Sequence, residues 1–317
     1  MEVFESTKFR QVIEKVYKLR SPHNEVCQSI PLYKPRIGQT LIYLPFGFFP
    51  SQEMRLRIEQ SINTPSIHDL IRSRGMDINL HFVERMEEPS GLDCSNVWCK
   101  THVSMNSELH LADLTSSLGA SSRNHVRNVK KERNKAVRHG VSFSWVTDNE
   151  DLRQFHWILA KQYLRQHRML FQPYQLFSQL FSLGIGHLAI ARRGEEVLAG
   201  MFMTFDGNTW RYNWGARREW SGISAGTILM DWVLNQAISE GVAIFDFGAS
   251  SIMDVSLLES KSRWGANHLP VYRYSTKTST WYADLHTSLW RSRWILTHVP
   301  SFVAQPLARL WAPLTVR

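Results

Sequence analysis

Residues 224–248 read SAGTILMDWVLNQAISEGVAIFDFG, and this stretch decides the fold class. Ser224–Glu240 reads as a helix, Gly241 stops it, and Val242–Phe247 is a short apolar strand. A strand that leads through an irregular loop into a helix, a glycine and an apolar strand is a unit of an α/β protein. Here the leading strand is Trp210–Gly215, and the unit runs from Trp210 to Phe247. The same order recurs in Leu41–Val83, with Gly75 in the place of Gly241. Two copies this far apart point to two related α/β domains, not to a solenoid.

Working outward, Asp206-Gly207-Asn208-Thr209 is a hairpin turn between strands Val197–Phe205 and Trp210–Gly215. Upstream lie a helix at about 150–168, a helical patch at 173–183 and a strand at His187–Ala191. A strand is expected where Val141, Phe143 and Trp145 alternate with Ser142 and Ser144. Ser121 or Ser122 caps a basic helix that runs to His139 and stops at Gly140. In the first half, Phe9, Val12, Ile13, Val16 and Leu19 predict a helix over 7–20, and a second helix is expected at 51–73. Ile37–Phe49 and Ile78–Val83 read as strands, Val97–Ser104 and Ser107–Leu111 as two short pieces, and Val271–Ser275 as a closing strand.

The chain has 317 residues, 43% hydrophobic and 21% charged, which suits two domains or one large one and excludes long disorder or a fibrous repeat. The three cysteines, Cys27, Cys94 and Cys99, cannot build a disulfide framework, and Cys94-x4-Cys99 has no partner pair with zinc spacing, so no metal is expected. Met1–Arg20 lacks the apolar core of a signal peptide, and the longest uncharged run, Met169–Ala191, is broken by Pro173 and polar residues. The expected location is cytoplasmic.

The net charge of +9 favours polyanionic partners. Residues 121–140 hold seven Lys or Arg against Glu132 alone, while 281–317 combines four Arg and four Trp with Asp284. On the basic helix, Arg123, Arg127, Lys130, Lys131, Asn134 and Arg138 share one face, and Val126, Val129, Ala136 and Val137 are its expected buried side. The residue types of the tail suit a helical, peripheral membrane contact at the inner face.

Phe245-Asp246-Phe247-Gly248, then Lys261-Ser262-Arg263-Trp264-Gly265 and Leu269-Pro270-Val271-Tyr272-Arg273-Tyr274, resemble the Fem-type acyltransferases of the GNAT superfamily of acetyltransferases. In that family a strand ends in Asp-Phe-Gly, and a Lys-x-x-Trp-Gly segment and a closing strand follow. Ile30–Tyr33, Leu44–Gly47, the basic segment Lys135–Val141 and Val197–Gly200 fall in the family's order, so the resemblance covers roughly 30–275. Ala249 stands where the family usually has Arg, Ser260 where an aromatic is common, and Phe48-Phe49-Pro50 replaces a glycine pair. The resemblance implies tandem GNAT-like domains: a truncated first one at 1–145 containing the basic helix, a second at 146–280, and a C-terminal tail at 281–317. It implies an enzyme with no permanently bound cofactor. Its acyl or aminoacyl group would come from acyl-CoA or aminoacyl-tRNA and pass to an amine or hydroxyl of a cell-envelope or glycoconjugate precursor.

The residues suggest where this chemistry sits. Small residues and a helix start at Gly222, Ser224, Ala225, Gly226 and Thr227, just after Arg217 and Arg218, suit the phosphates of the donor. Lys261 can stabilise the oxyanion of acyl transfer, and Asp246, at a strand end, can act as general base. Arg123, Arg127 and Lys131 of the basic helix, with Arg263 and Trp264, are the expected acceptor side. Two other readings start from the same residues. The basic helix also fits a non-catalytic protein that binds RNA or an anionic glycan. Gly222-x-Ser224-x-Gly226 also fits a serine hydrolase, with Asp246 and His268 in hydrolase order.

Overall fold

The structure, a computed structural model, describes residues 7–17, 32–33, 40–43, 77–83, 99–116, 120–166, 170, 172–218 and 224–275. Contacts divide the chain into two units: Met1–Met105 with Phe171–Pro173 and Leu269–Arg317, and Asn106–Leu170 with Tyr174–His268. The expected helix at 51–73, the Leu44–Gly47 segment, Gly222 and the 281–317 tail lie outside the described residues.

In the first unit, α1 (Thr7–Tyr17) buries Phe9, Val12 and Ile13. That is the helical spacing that amphipathic packing requires. β1 (Leu32–Tyr33) pairs antiparallel with β2 (Thr40–Tyr43), and β2 runs parallel to β3 (Asp77–Val83). β3 pairs on its other side with Val271–Ser275 in antiparallel register.

The second unit carries the site. β4 (Cys99–His110) is one continuous strand instead of the two pieces expected, and it enters this unit at Asn106. It runs into α2 (Leu111–Ser116) and the basic helix α3 (Ala120–Arg138). β5 (Val141–Trp145), α4 (Asn149–Arg165) and α5 (Tyr174–Ser182) follow. Next come β6 (Gly186–Arg193), β7 (Glu196–Asp206), β8 (Thr209–Arg217) and α6 (Ala225–Ser239). The unit ends with β9 (Ile244–Ser251), α7 (Val255–Ser262) and the first residues of β10 (Asn267–Ser275).

The strands lie in the order β4–β9–β8–β7–β6–β5. β5, β6, β7 and β8 form antiparallel pairs, and the β7–β8 turn is Gly207-Asn208, with Gly207 at φ +54°. Gly140 and Gly241 end their helices at φ +79° and +72°, a conformation that costs a residue without Cβ little. β7 is buried from Val197 to Thr204, so it reads as a continuous apolar run. The core joins it to Ile228, Leu229, Val233, Leu234 and Ala237 of α6 and to Phe245 and Phe247 of β9. Phe155, Phe177 and Phe202 pack edge-on and stacked beneath α4 and α5.

The basic helix packs on α6, inside the second unit. Its buried positions are Val129 and Ala136, with Val126 partly covered. Val137, expected inside, is 52% exposed. Arg133 turns inward instead and forms an ion pair with buried Asp231 of α6, its guanidinium 2.8 Å from the carboxylate. Burial pushes the Asp231 carboxyl pKa up, and the guanidinium of Arg133 opposes that shift. An inward charge of this kind shifts the buried stripe by part of a turn, which apolar spacing alone does not show.

Candidate functional site

The site begins where two strands part. β8 and β9 are parallel neighbours, but their register covers only Thr209↔Ile244, Trp210↔Phe245 and Arg211↔Asp246. Beyond Arg211, β8 continues its ladder with β7 alone as far as Arg217. A cleft of about 1120 Å³ opens there. Its walls include Tyr212, Gly215, Ala216, Arg217 and Arg218 of β8 and its end, Phe247 of β9, Ser224–Thr227 at the start of α6, and Lys261 and Trp264. Gln162, Arg165 and Gln166, at the end of α4, close another side.

Helix α6 begins here without a side-chain cap. Ser224 makes no capping bond, and its hydroxyl pairs with that of Thr227 at 2.7 Å. Thr227 and Ile228 both donate their N–H to the Ser224 carbonyl. The first N–H groups of a helix have no partner within it, so this end presents donors and a partial positive charge to the cleft. The Arg217 stem crosses Gly226: a Cβ there would meet Arg217 Cδ at 3.5 Å. Arg218 is fixed by a bond from Nε to the Val197 carbonyl (2.9 Å) and by an ion pair with Glu196 (3.4 Å).

The backbone of β8 is engaged on both edges. Arg218 N–H donates to Leu198 O of β7 at 2.7 Å. Because groups alternate along a strand, Arg217 and Gly215 face the opposite, open edge. There the Gln162 side chain takes both: its Nε2 donates to Gly215 O (3.2 Å), and its Oε1 accepts from Arg217 N–H (3.0 Å).

Tyr212 shows no distinguishing signal in the sequence, where it sits inside an ordinary strand pattern. Its hydroxyl fills the space that Gly215 leaves, since a Cβ at Gly215 would lie 1.6 Å from it. Burial pushes its pKa up to about 12, so it stays a protonated donor at neutral pH.

Lys261 lies in the last turn of α7, a helix for which the sequence reading placed no element. The side chain is buried, and Nζ donates to the Gly248 carbonyl at 2.6 Å. Burial lowers its pKa to about 8, against the pull of Asp246 and Asp254. Asp246 has both oxygens engaged: Oδ2 accepts from Arg211 Nε (2.8 Å) and Oδ1 from Gly248 N–H (2.7 Å). It holds the turn whose carbonyl receives Lys261, and it is not part of the cleft wall.

Of the residues expected from sequence, the cleft gathers Arg217, Arg218, Ser224, Ala225, Gly226, Thr227, Lys261 and Trp264. Asp246, Arg123, Arg127, Lys131 and Arg263 lie outside its lining. The basic helix touches the cleft wall from behind at its start. His125 packs edge-on against Trp264 with ring centroids 4.8 Å apart, and Ser122 donates to the Ser262 carbonyl at 3.3 Å.

The serine-hydrolase arrangement is not assembled. Ser224 bonds Thr227, Asp246 bonds Arg211 and Gly248, and His268 is held elsewhere by Ser107 at Nδ1 (2.9 Å) and Ser262 at Nε2 (2.7 Å). The Ser262 hydroxyl donates to Leu258 O, so it accepts from Nε2–H, and Ser107 donates to Nδ1. Burial and the nearby Lys261 both lower the His268 pKa, in keeping with that neutral tautomer.

Among the described residues, no group of three His, Cys, Asp or Glu is placed to hold a metal ion, and no helix is long and apolar enough to cross a membrane.

Residues 123–254 match the family model of the acetyltransferase (GNAT) domain. Among solved structures the chain is similar to L-PGS from Bacillus licheniformis, at 13% identity and a TM-score of 0.57 over 84% of this chain and 86% of that one. It is also similar to FemX, at 12% identity and a TM-score of 0.56 over 85% of this chain and 91% of that one. No curated protein matches the chain in sequence. The parted strands and the uncapped helix of the second unit thus fall within the segment that matches the acetyltransferase (GNAT) domain, and the chain shares its fold with FemX and L-PGS.

Proposed function

We propose that the protein transfers an acyl or aminoacyl group from a phosphate-bearing carrier, acyl-CoA or aminoacyl-tRNA, to an amine or hydroxyl of a glycoconjugate or other cell-envelope precursor. The observation that carries this reading is one cleft lined by two unlike sets of groups. One set is the uncapped start of α6 beside Arg217 and Arg218, which suits the carrier's phosphates. The other set is the buried Lys261 and the partly buried Tyr212, which suit the reacting carbonyl.

In this reading the acceptor nitrogen or oxygen attacks the acyl carbon, and the bond from that carbon to the carrier's sulfur or oxygen breaks. Charge collects on the carbonyl oxygen in between. The Lys261 ammonium, already fixed by Gly248 O, donates to it. Tyr212 gives its proton to the leaving atom and regains one from the attacking group. Asp246 acts as a positioning carboxylate through Arg211 and Gly248 instead of removing the acceptor's proton. The exposed face of α3 and Arg263 take the acceptor's diphosphate, close to Trp264. Both carriers are cytoplasmic, so the reaction runs there, and a lipid-linked acceptor brings the protein to the inner membrane face.

The test is native mass spectrometry and turnover with acyl-CoAs and charged tRNA, using wild type and Lys261→Met. An acylated product formed by wild type and not by the variant is expected. The salt dependence of binding tests the rival reading. A compact diphosphate on α3 gives a shallow slope, whereas a non-catalytic RNA-binding surface gives a steep one, about −0.7 per phosphate contact. Steep binding of RNA with no turnover of either donor would overturn the enzyme reading in favour of a binding protein.

A further inference from the structure

Beside the cleft mouth is a second, smaller cavity of about 190 Å³, lined by Trp157, Lys161, Arg165, Glu196, Arg217 and Arg218 among others. Arg165, Arg217 and Arg218 belong to both cavities, so the two are continuous at that rim. Its volume is below the roughly 300–1,000 Å³ of a whole small-molecule site, so it suits one end of a longer ligand.

Its chemistry is specific. Trp157 is 44% exposed on a helix whose neighbouring Phe155, Ile158 and Leu159 are buried, so the indole contributes little to the core. Lys161 Nζ stands 3.6 Å from the ring centroid, and the Arg218 guanidinium carbon stands 5.1 Å from it. Arg218 is anchored to Val197 O and Glu196, which makes it a fixed planar surface beside the indole. Lys161 is one helical turn from Trp157 and ends in a flexible ammonium that can leave the ring for a phosphate. Four cations line this cavity against the single carboxylate of Glu196. An aromatic face and a guanidinium plane among excess cations are the features that stack a base and neutralise its phosphate.

We propose that this cavity is a subsite for a nucleoside phosphate, the far end of the acyl carrier whose phosphates lie at the start of α6. This deepens the function proposed above and rests on it for the identity of the ligand. The base stacks at Trp157 and Arg218, and Lys161 and Arg165 take the phosphate.

The test is calorimetric titration of the full chain with three probes: inorganic pyrophosphate, adenosine 3′,5′-bisphosphate and the RNA trinucleotide CCA. At least one nucleoside probe binds about tenfold or more tighter than pyrophosphate. Trp157→Ala removes that advantage and leaves pyrophosphate binding unchanged, while Trp157→Phe retains most of it. Lys161→Ala weakens the nucleoside phosphate as well. Preference for the bisphosphate assigns the site to a coenzyme, and preference for CCA assigns it to an RNA end. Equal affinity for pyrophosphate and both nucleoside probes, or an advantage that survives Trp157→Ala, overturns the proposal. Lys261→Met separates this outcome from the function itself. It lowers transfer about 10²–10³-fold and leaves the binding pattern intact, so a subsite without transfer in wild type, or transfer without a subsite, tells which reading fails.

Discussion

The second unit carries two basic regions of opposite design. On α3, Arg123, Arg127, Lys130, Lys131 and Arg138 are all exposed, and the face inward of them is anchored to α6 by Arg133 and Asp231. At the rim, Lys161, Arg165, Arg217 and Arg218 come from two elements and meet over cavities. The first region is dense in sequence and spread over a convex helix. The second is sparse in sequence and concentrated in space, beside a helix start of the same sign. Charges that converge on a concave, partly desolvated site act together on one small anion, whereas charges on a solvated face are screened separately. In the function proposed above, the rim takes the donor and α3 makes a weaker, more adaptable contact.

The largest test of that division lies at the reacting end. Lys261→Met keeps a long apolar stem in the buried site and removes the ammonium, and turnover falls about 10²–10³-fold, as for loss of an oxyanion donor. Circular dichroism confirms that the fold is kept. With Lys261 present, activity falls as the pH rises through about 8, because the donor loses its proton there. The same group shapes stability. Its folded pKa lies below the unfolded 10.5, so between about pH 8 and that value the unfolded chain holds the extra proton and stability rises with pH. Urea titrations at several pH values show this rise in wild type and lose it in Lys261→Met.

A smaller loss is expected for Tyr212→Phe, about 10²-fold in turnover with donor binding retained, as for removal of a general acid. Gly215→Ala meets the Tyr212 hydroxyl and destabilises the protein by about 1–3 kcal/mol. In a Tyr212→Ala background the same change costs almost nothing further, which a double-mutant cycle by thermal melting reads directly.

The basic regions themselves separate at the next level down. Arg217→Glu raises the donor KM about tenfold by placing an acid against the α6 start. Arg127→Glu on α3 changes the donor KM by about twofold or less and acts on the acceptor KM instead. Equal effects of the two reversals on donor KM would erase the distinction between rim and helix.

Much of the frame was legible in the sequence because it rests on local signals. Gly140 and Gly241 stop helices by backbone freedom, the Gly207-Asn208 turn closes a hairpin, and β7 is a continuous buried apolar run. Arg217, Arg218 and Ser224–Thr227 were legible as one candidate group for the same reason, since they lie close together in the chain, and all of them line the cleft. α7 was not legible. Its apolar Val255 and Leu257 are 58% and 42% exposed, and its buried member is Lys261, so no apolar stripe marks it as a helix. Gln162 and Arg165 reach the cleft from α4 and Tyr212 from β8, and only the packing of the helix on the sheet brings them together. The density of charge on α3 drew attention in the sequence for a reason that is compositional, and composition does not show concavity.

The Gln162 amide has a consequence for the protein at rest. A β-strand with an open edge is a template on which the strand of another molecule can grow. Where β8 parts from β9 and the cleft opens, such an edge is created at Gly215 and Arg217. Gln162 offers one donor and one acceptor, the same pair a neighbouring peptide group would bring, and so it masquerades as the missing strand. The open cleft thereby hides its stickiest backbone from other chains. Any ligand that binds along this edge must first exchange hydrogen bonds with that impostor, one for one.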